Sequence, residues 1–355
     1  PHAVATGRGL IEAYYGDSPA RSYFSGCSNG GRLGMYAAQR YPEYFDGIAA
    51  GGSIMDLTGS SGVHGMWLLQ ATRDEKGKPV IDQAKLPLLE QHVMKRCDSL
   101  DGVTDGAVSR PDLCQPKVSE LQCAGETGAD CFTAVEVNAI ERLYQGATVN
   151  GEQLHPGVPP GSEFLWPIWI VGTEAQPGWG ELAATGNLRL TYGIPSSEPF
   201  SAHDYVLADE LDNLQKYAGV LNAIDPDLTG LESEGAKLFY WHGMADPLLF
   251  ADRALQYYDE AAKLMGEQRL AKTARFMMVP GQGHCWEKRG LVADVFDPLA
   301  IVDKWVESGV APDEIIAWRI TDDPDKAQSR KLCAHPARAE YVEGDSDKAE
   351  SYVCR

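Results

Sequence analysis

A serine between glycines, at the point where a strand pattern gives way to a helix pattern, most constrains this chain. The sequence there reads Gly26-Cys27-Ser28-Asn29-Gly30, after a short aromatic stretch at 21–25 and before a helical pattern over 32–40. Strand, tight turn and helix form the context of a nucleophile elbow, in which the turn lifts the Ser28 hydroxyl above the sheet, and Gly26 and Gly30 let the backbone pass closely. A glycine-rich turn without chemistry is the alternative, because a chain with 37 glycines can match this short pattern by chance.

Length and charge exclude several classes of protein. A chain of 355 residues predicts two domains, or one large domain with an insertion. The formal net charge of -20 argues against a nucleic-acid partner and is typical of a solvated acidic surface on a secreted protein. The sequence contains no apolar run long enough to span a membrane. It starts without Met and without a signal sequence, so we expect a mature or truncated form.

The cysteines indicate an oxidising compartment. There are eight, at positions 27, 97, 114, 123, 131, 285, 333 and 354, and six of them form close sequential pairs. An even number in this pattern predicts disulfides in a secreted or periplasmic protein. Zinc binding is the less favoured alternative, because the sequence lacks Cys-x-x-Cys.

The pattern of predicted secondary structure changes twice along the chain. Strand and helix patterns occupy residues 1–52 and return at 236–355, whereas 53–235 contains helices and irregular loops, with helices expected over 81–97 and 133–144. The sequence therefore predicts an α/β domain built from 1–52 and 236–355, with 53–235 inserted as a lid domain.

Ser28, Asp246 and His284 each follow a strand-like segment. A serine hydroxyl needs a base to become a nucleophile, His284 can be that base, and Asp246 can hold the imidazole and stabilise its cation. The 38 residues from Asp246 to His284 hold one predicted helix and one predicted strand. The order Ser, Asp, His is that of α/β-hydrolases, so we predict a catalytic triad, although any one such residue alone is more often structural.

Two cysteines flank this predicted triad. Cys27 precedes Ser28, and Cys285 follows His284. A Cys27–Cys285 disulfide would join the elbow to the histidine loop and fix the distance from Ser28 to His284. Two free buried thiols are the alternative.

Four segments together resemble the tannase and feruloyl esterase family, which includes terephthalate-monoester hydrolases. The resemblance covers nearly all of the chain and rests on residues 26–32, 40–48, 241–247 and 283–285. It implies an α/β-hydrolase domain with an inserted lid and a Ser28–His284–Asp246 triad beside Cys27–Cys285. It also implies the disulfides Cys97–Cys114, Cys123–Cys131 and Cys333–Cys354.

The segment 97–107 is a second candidate site. It carries three carboxylates within eight residues, with glycines for the turns, which suits a hard cation that prefers oxygen ligands. An acidic solvated loop is the alternative. The resemblance implies a structural Ca²⁺ in the lid. Its ligands would be the side chains of Asp98, Asp101 and Asp105 and the carbonyls of Val103 and Ala107.

The start of the chain departs from a complete hydrolase. Only 27 residues precede Ser28, which is room for one helix and one strand. The predicted fold is therefore an α/β-hydrolase sheet that lacks its N-terminal strands in this chain. The chain would supply one oxyanion donor, the Asn29 amide, with the second donor outside it. We expect a preceding segment or a complementary chain to complete the sheet and cover an open apolar edge.

Aromatic residues in the lid bear on the substrate. Phe164, Trp166, Trp169 and Trp179 could stack on a phenolic acyl group, and packing of the lid core explains them equally well. The predicted triad and the resemblance together imply a secreted serine hydrolase of aromatic carboxylic esters, with feruloyl and other hydroxycinnamoyl esters first, galloyl esters second and terephthalate monoesters third. A calcium-stabilised protein that binds phenolics on an inactive hydrolase scaffold is the alternative of another class.

Overall fold

The computed structural model describes residues 2–173, 175–285, 292–323 and 327–355. The α-helices are α1 (His2–Tyr15), α2 (Asn29–Arg40), α3 (His64–Thr72), α4 (Leu86–Cys97), α5 (Ala134–Gln145), α6 (Trp179–Tyr192), α7 (Leu207–Gln215), α8 (Ala218–Leu221), α9 (Thr229–Ser233), α10 (Ala251–Met265), α11 (Glu267–Thr273) and α12 (Pro298–Ser308). The strands are β1 (Tyr23–Cys27), β2 (Gly47–Gly51), β3 (Thr148–Val149), β4 (Glu152–Gln153), β5 (Lys237–Gly243), β6 (Ala274–Val279), β7 (Glu314–Trp318), β8 (Ser329–Cys333), β9 (Ala339–Tyr341) and β10 (Tyr352–Cys354). Two π-helical segments cover Thr58–Val63 and Pro167–Val171, and short 3-10 turns cover Pro42–Tyr44, Gln83–Lys85, Asp98–Asp101, Val118–Leu121, Glu163–Leu165, Ala202–Asp204 and Ala349–Ser351.

A parallel sheet with the strand order β1-β2-β5-β6 organises the molecule. Its inner strands are apolar and buried, as helices on both faces require. One face packs against α2 and α10 through a cluster that includes Met35, Tyr240 and Tyr258. The other face packs against α12 through Phe239 and Val302. The carboxyl ends of the four strands share one edge, and this edge carries the candidate site.

The insertion between β2 and β5 has hydrophobic cores of its own. One contains Leu89, Ile140 and Trp166, and another contains Leu188 and Leu214. The last part of the predicted lid, 53–235, behaves differently, because Ala223, Leu228 and Leu231 pack with the sheet cluster. The chain therefore returns to the sheet before residue 235.

The two ends of the insertion are joined by one side chain. The Asn222 amide oxygen accepts a hydrogen bond from the Thr58 backbone N–H at 3.0 Å, and its nitrogen donates to an Asp56 carboxylate oxygen at 2.9 Å. A backbone hydrogen bond of 2.8 Å from Ala223 to Met55 lies beside them. Entry to the insertion and exit from it are thus adjacent in space.

Local sequence signals locate the start of α5, whereas two other helices begin at residues that differ from the prediction, and one of these is α2, which begins at Asn29, three residues before the predicted start at 32. Thr133 caps α5 in a capping box with Glu136, at the predicted boundary. The helix expected over 81–97 begins later, at Leu86, after a 3-10 turn. Pro87 accounts for this difference, because a residue without an N–H is tolerated in the first turn of a helix and disfavoured further inside.

Four disulfides join all eight cysteines. They are Cys27–Cys285, Cys97–Cys114, Cys123–Cys131 and Cys333–Cys354, the pairings that the resemblance implies. The alternative of two free thiols at 27 and 285 is therefore wrong for this structure.

The two edge strands of the sheet differ in their cover. At β6, Met277 forms a bridge to Ala334 of the C-terminal segment. At β1, the described residues provide β2 as the only hydrogen-bonded neighbour, and the strand is largely half-buried. The preceding helix α1 has no buried residue and exposes Leu10 and Tyr14.

None of the helices in the described ranges combines the length and hydropathy that crossing a bilayer requires.

Candidate active site

Ser28 occupies a strained turn directly after β1. Its backbone φ of 62° and ψ of -121° lie in a region that residues with a side chain rarely adopt, and such strain is concentrated at functional sites. A Cβ at Gly26 would lie 2.7 Å from the carbonyl carbon of Gly30, and one at Gly31 would lie 2.3 Å from the carbonyl oxygen of Gly51. The backbone at Gly30 therefore passes close to Gly26, as predicted, but a Cβ at Gly30 would face open space, so the second position that needs glycine is Gly31.

Asp246 lies in the loop after β5 and is fully buried. Its Oδ2 accepts a hydrogen bond of 2.8 Å from Nδ1 of His284, and its Oδ1 accepts from the amides of Leu248 and Leu249 at 3.0 and 2.9 Å. Burial pushes the pKa of Asp246 upward, but the attraction and hydrogen bonds of His284 and His242 outweigh burial and hold the pKa below its usual value. The carboxylate therefore stays ionised and fixes the proton of His284 on Nδ1, which makes Nε2 the basic nitrogen of the ring.

A disulfide connects the serine turn to the histidine loop. Cys27 and Cys285 have Cα atoms 5.9 Å apart, and their neighbours along the chain are Ser28 and His284. Cys285 also has a positive φ of 58°. The structure thus brings the loops after β1, β5 and β6 together at one edge of the sheet, as the chain order predicts.

Asn29 opens helix α2, beside Ser28. Its side-chain oxygen accepts hydrogen bonds from Arg32 at 3.0 and 2.8 Å. Amides in the first turn of a helix have no acceptor within that helix, so the Asn29 N–H is the type of donor that an oxyanion hole uses.

The four lid aromatics predicted to contact substrate have different environments. The Trp169 ring lies edge-on to His284, with 5.1 Å between ring centroids, and it is carried by the π-helical segment Pro167–Val171. Trp166 is fully buried in the lid core and donates from Nε1 to Ser162, so the packing alternative applies to it and the prediction of substrate contact is corrected. Trp179 is 62% exposed at the start of α6, and Phe164 is half-buried.

Sequence reasoning missed His242. This residue is 1% exposed on β5, donates from Nε2 to the carbonyl of Leu249, and lies 3.5 Å from Oδ2 of Asp246. No sequence signal separates it from an ordinary strand residue, because its role depends on a turn that closes back on the strand.

The predicted calcium residues cluster in the loop that begins at the end of α4. Asp98 is buried and accepts from the amides of Asp105 and Gly106. Arg330 contacts the carboxylates of Asp105 and Asp101 at 2.8 and 3.4 Å. Across the described ranges, no three acidic, histidine or cysteine side chains are arranged as a ready metal site. The three carboxylates suit calcium by chemistry, although Arg330 already pairs with two of them, and calcium binding stays a prediction.

Comparison with known proteins places the chain in context. A family model described as "Tannase and feruloyl esterase" matches residues 2–355. A mono(2-hydroxyethyl) terephthalate hydrolase from Piscinibacter sakaiensis is 30% identical, with 98% of this chain and 66% of the relative covered. An uncharacterized esterase from Xanthomonas campestris is also 30% identical, with 99% of this chain and 68% of the relative covered. The chain thus spans about two thirds of the length of these relatives.

Solved structures agree with this assignment. Feruloyl esterase B from Aspergillus oryzae superposes with a TM-score of 0.84 at 25% identity, covering 99% of this chain and 72% of that one. Tannin acyl hydrolase from Aspergillus niger superposes with a TM-score of 0.81 at 22% identity, covering 99% and 68%, and supports the same fold. With its parallel sheet, the structure has the α/β-hydrolase type of fold. The chain belongs to the tannase and feruloyl esterase family.

Proposed function

We propose that this protein hydrolyses aromatic carboxylic esters, with Ser28 as nucleophile, His284 as general base and acid, and Asp246 as the residue that orients His284. The observation that carries the proposal is the 2.8 Å hydrogen bond from His284 to Asp246, in a loop joined by a disulfide to the strained turn of Ser28. Family membership supports the same chemistry.

The reaction follows from these roles. His284 Nε2 takes the proton of the Ser28 hydroxyl as its oxygen attacks the ester carbonyl, and the Asn29 amide stabilises the oxyanion. The carbonyl re-forms, the bond to the alcohol breaks, and His284 returns the proton to the leaving alkoxide, which leaves an acyl-enzyme. Water then attacks the acyl group with His284 again as base, the bond from the acyl carbon to the Ser28 oxygen breaks, and His284 returns the proton to Ser28 as the acid is released.

The substrate class is the finer part of the proposal. The Trp169 ring lies against His284 and offers an aromatic surface on which an aromatic acyl group could stack. Feruloyl and other hydroxycinnamoyl esters come first, galloyl esters second and terephthalate monoesters third, in line with the names of the relatives. We also propose that the protein is secreted or periplasmic, because four disulfides favour an oxidising compartment.

We further propose that a segment outside residues 1–355, or a separate chain, adds a strand beside β1 and supplies the second oxyanion donor. Support comes from the β1 edge, where β2 is the only paired strand in the described part of the chain, and from the exposed apolar residues of α1. The coverage of about two thirds of the relatives leaves room for such a segment. A fully active monomer of these residues alone would contradict this proposal.

Calcium is proposed as a structural ion of the lid. Asp98, Asp101 and Asp105, with the carbonyls of Val103 and Ala107, would hold it, and the ion would add positive charge where one arginine contacts two of three carboxylates. Removing calcium with EGTA should lower the unfolding temperature of the wild type by several degrees, because an ion at about 100 times its Kd stabilises by about 2.7 kcal/mol. Asp105→Asn should abolish this shift, and a wild type that is indifferent to both EGTA and added calcium would refute the site.

The test of function is a substrate panel with active-site labelling. The protein, with its sheet complete, should release acid from methyl ferulate and methyl gallate and should cleave p-nitrophenyl acetate. A serine-directed phosphonate should label Ser28, and Ser28→Ala should abolish labelling and turnover while its circular dichroism stays unchanged. Binding of phenolics without turnover or labelling would instead support the inactive-scaffold alternative.

A further inference from the structure

His242 is a buried imidazole beside the candidate triad, with no role in the mechanism above. It is the penultimate residue of β5, opposite Met278 of β6, and is 1% exposed. A buried polar side chain normally has hydrogen-bond partners, because leaving one unsatisfied is costly. Its contacts therefore indicate what holds this imidazole in place.

The contacts of the ring converge on Asp246 and its turn. Nε2 donates a hydrogen bond to the carbonyl of Leu249 and lies 3.5 Å from Oδ2 of Asp246. A carbonyl and an ionised carboxylate can only accept, so this geometry assigns a proton to Nε2. Nδ1 has no hydrogen-bond partner within the described ranges.

These bonds close the turn from two sides. Oδ1 of Asp246 accepts from the amides of Leu248 and Leu249 and so holds the N–H side of the turn. His242 holds the carbonyl of Leu249 and so ties the far side of the turn to strand β5. With both in place, Oδ2 of Asp246 faces His284 and has the N–H of His242 as a second neighbour.

We propose that His242 is a positioning residue of the esterase: it closes the 246–249 turn and holds Asp246 in line with His284. It acts through Asp246 and does not touch substrate. The activity readout of this inference rests on the proposed function, whereas the geometric readout below does not.

His242→Phe tests the proposal, because phenylalanine keeps the ring and removes the N–H. The matched control is His335→Phe, which removes the imidazole that contacts Asp259 of α10 at 3.0 Å. Loss of a hydrogen bond within a charged site predicts a fall in kcat on methyl ferulate of about tenfold to hundredfold, with KM within about twofold. The control should retain wild-type kcat and KM.

A double variant separates positioning from a general structural role. In the Asp246→Asn background, His242→Phe should cause less than about a twofold further loss, because a residue that acts through Asp246 has nothing left to position. A loss that multiplies with that of Asp246→Asn would overturn the proposal.

A proton NMR readout keeps this inference separate from the esterase proposal. The wild type should show a downfield Nδ1–H resonance from the His284–Asp246 hydrogen bond, and His242→Phe should broaden it or shift it upfield while His335→Phe leaves it in place. An unchanged resonance in His242→Phe would overturn the inference, even if ester hydrolysis is confirmed. If the wild type does not hydrolyse esters but the resonance changes in His242→Phe as expected, only the proposed function is overturned.

If His242→Phe does not fold, His242→Gln serves in its place, because glutamine retains a side-chain N–H. This variant should keep the resonance and most of kcat, and loss of the resonance in it would count against the proposal.

Discussion

Two fully buried carboxyl groups, Asp246 at the sheet edge and Glu163 in the lid, have pKa values shifted in opposite directions. The Asp246 carboxylate accepts hydrogen bonds from two backbone amides and faces the imidazoles of His284 and His242, and its pKa is held below the usual value despite burial. Glu163 is bonded to the Tyr144 hydroxyl at 2.7 Å and to the Gly161 amide, and burial raises its pKa to about 7. The difference shows that neutral hydrogen-bond donors only partly offset the rise in a carboxyl pKa that burial causes. An imidazole that can become a cation instead lowers the pKa below its usual value.

The consequences for the two regions differ. The carboxylate at the sheet edge is ionised across the physiological range and can stabilise a positive charge on His284, as the proposed chemistry requires. The carboxyl group in the lid changes its protonation near neutral pH, so it links the stability of the insertion to pH.

The largest expected effect belongs to Asp246→Asn. An amide keeps the shape but cannot stabilise an imidazolium or fix its tautomer, so kcat on methyl ferulate should fall by about 10⁴-fold. Glu163→Gln is the matched control and should keep kcat within about twofold at pH 6. Similar losses of kcat in the two variants would show that the charge of Asp246 has no special role compared with that of the lid carboxyl group.

The second effect is a change in pH-dependent stability in Glu163→Gln. Because the folded pKa of about 7 exceeds the usual value of 4.5, the wild type gains stability from this group below pH 4.5 and loses it as the pH rises from there through 7. The loss amounts to about 3 kcal/mol from this group between pH 4.5 and pH 8. Denaturant unfolding across this range should show a flatter profile for Glu163→Gln, and parallel profiles for the two proteins would refute the assignment.

The smallest effect is that of Tyr144→Phe. Removing the hydroxyl deletes one donor to the Glu163 carboxylate and favours the protonated form, so the pH at which the fall in stability ends, which is set by the folded pKa, should move upward. The cost should be about 1 to 2 kcal/mol at pH 8, where the carboxylate most needs a donor, and smaller at pH 6. Urea unfolding at the two pH values measures the difference, and an equal cost at both would contradict a charge-dependent bond.

Sequence reasoning located the loops of the candidate site because each of them follows a strand. The loops that carry Ser28, Asp246 and His284 lie at one edge of the sheet because the carboxyl ends of parallel strands share that edge. The role of Gly31 could not be predicted, because it depends on how closely α2 approaches β2. Trp166 and Trp169 carry the same side chain three positions apart, yet one lies in the lid core and the other lies against His284, and only the packed fold distinguishes them.

The position of Asn222 bears on how the insertion can vary in length. Its side chain is hydrogen-bonded to both Asp56 and Thr58, so the insertion leaves the sheet and returns to it at nearly one place. Because the two ends of the insertion are adjacent, its length can change without moving apart the strands on either side of it. Exchange of the whole insertion between relatives, with Asp56, Thr58 and Asn222 retained at the junction, should therefore leave the sheet intact and would test whether the insertion sets the ester preference.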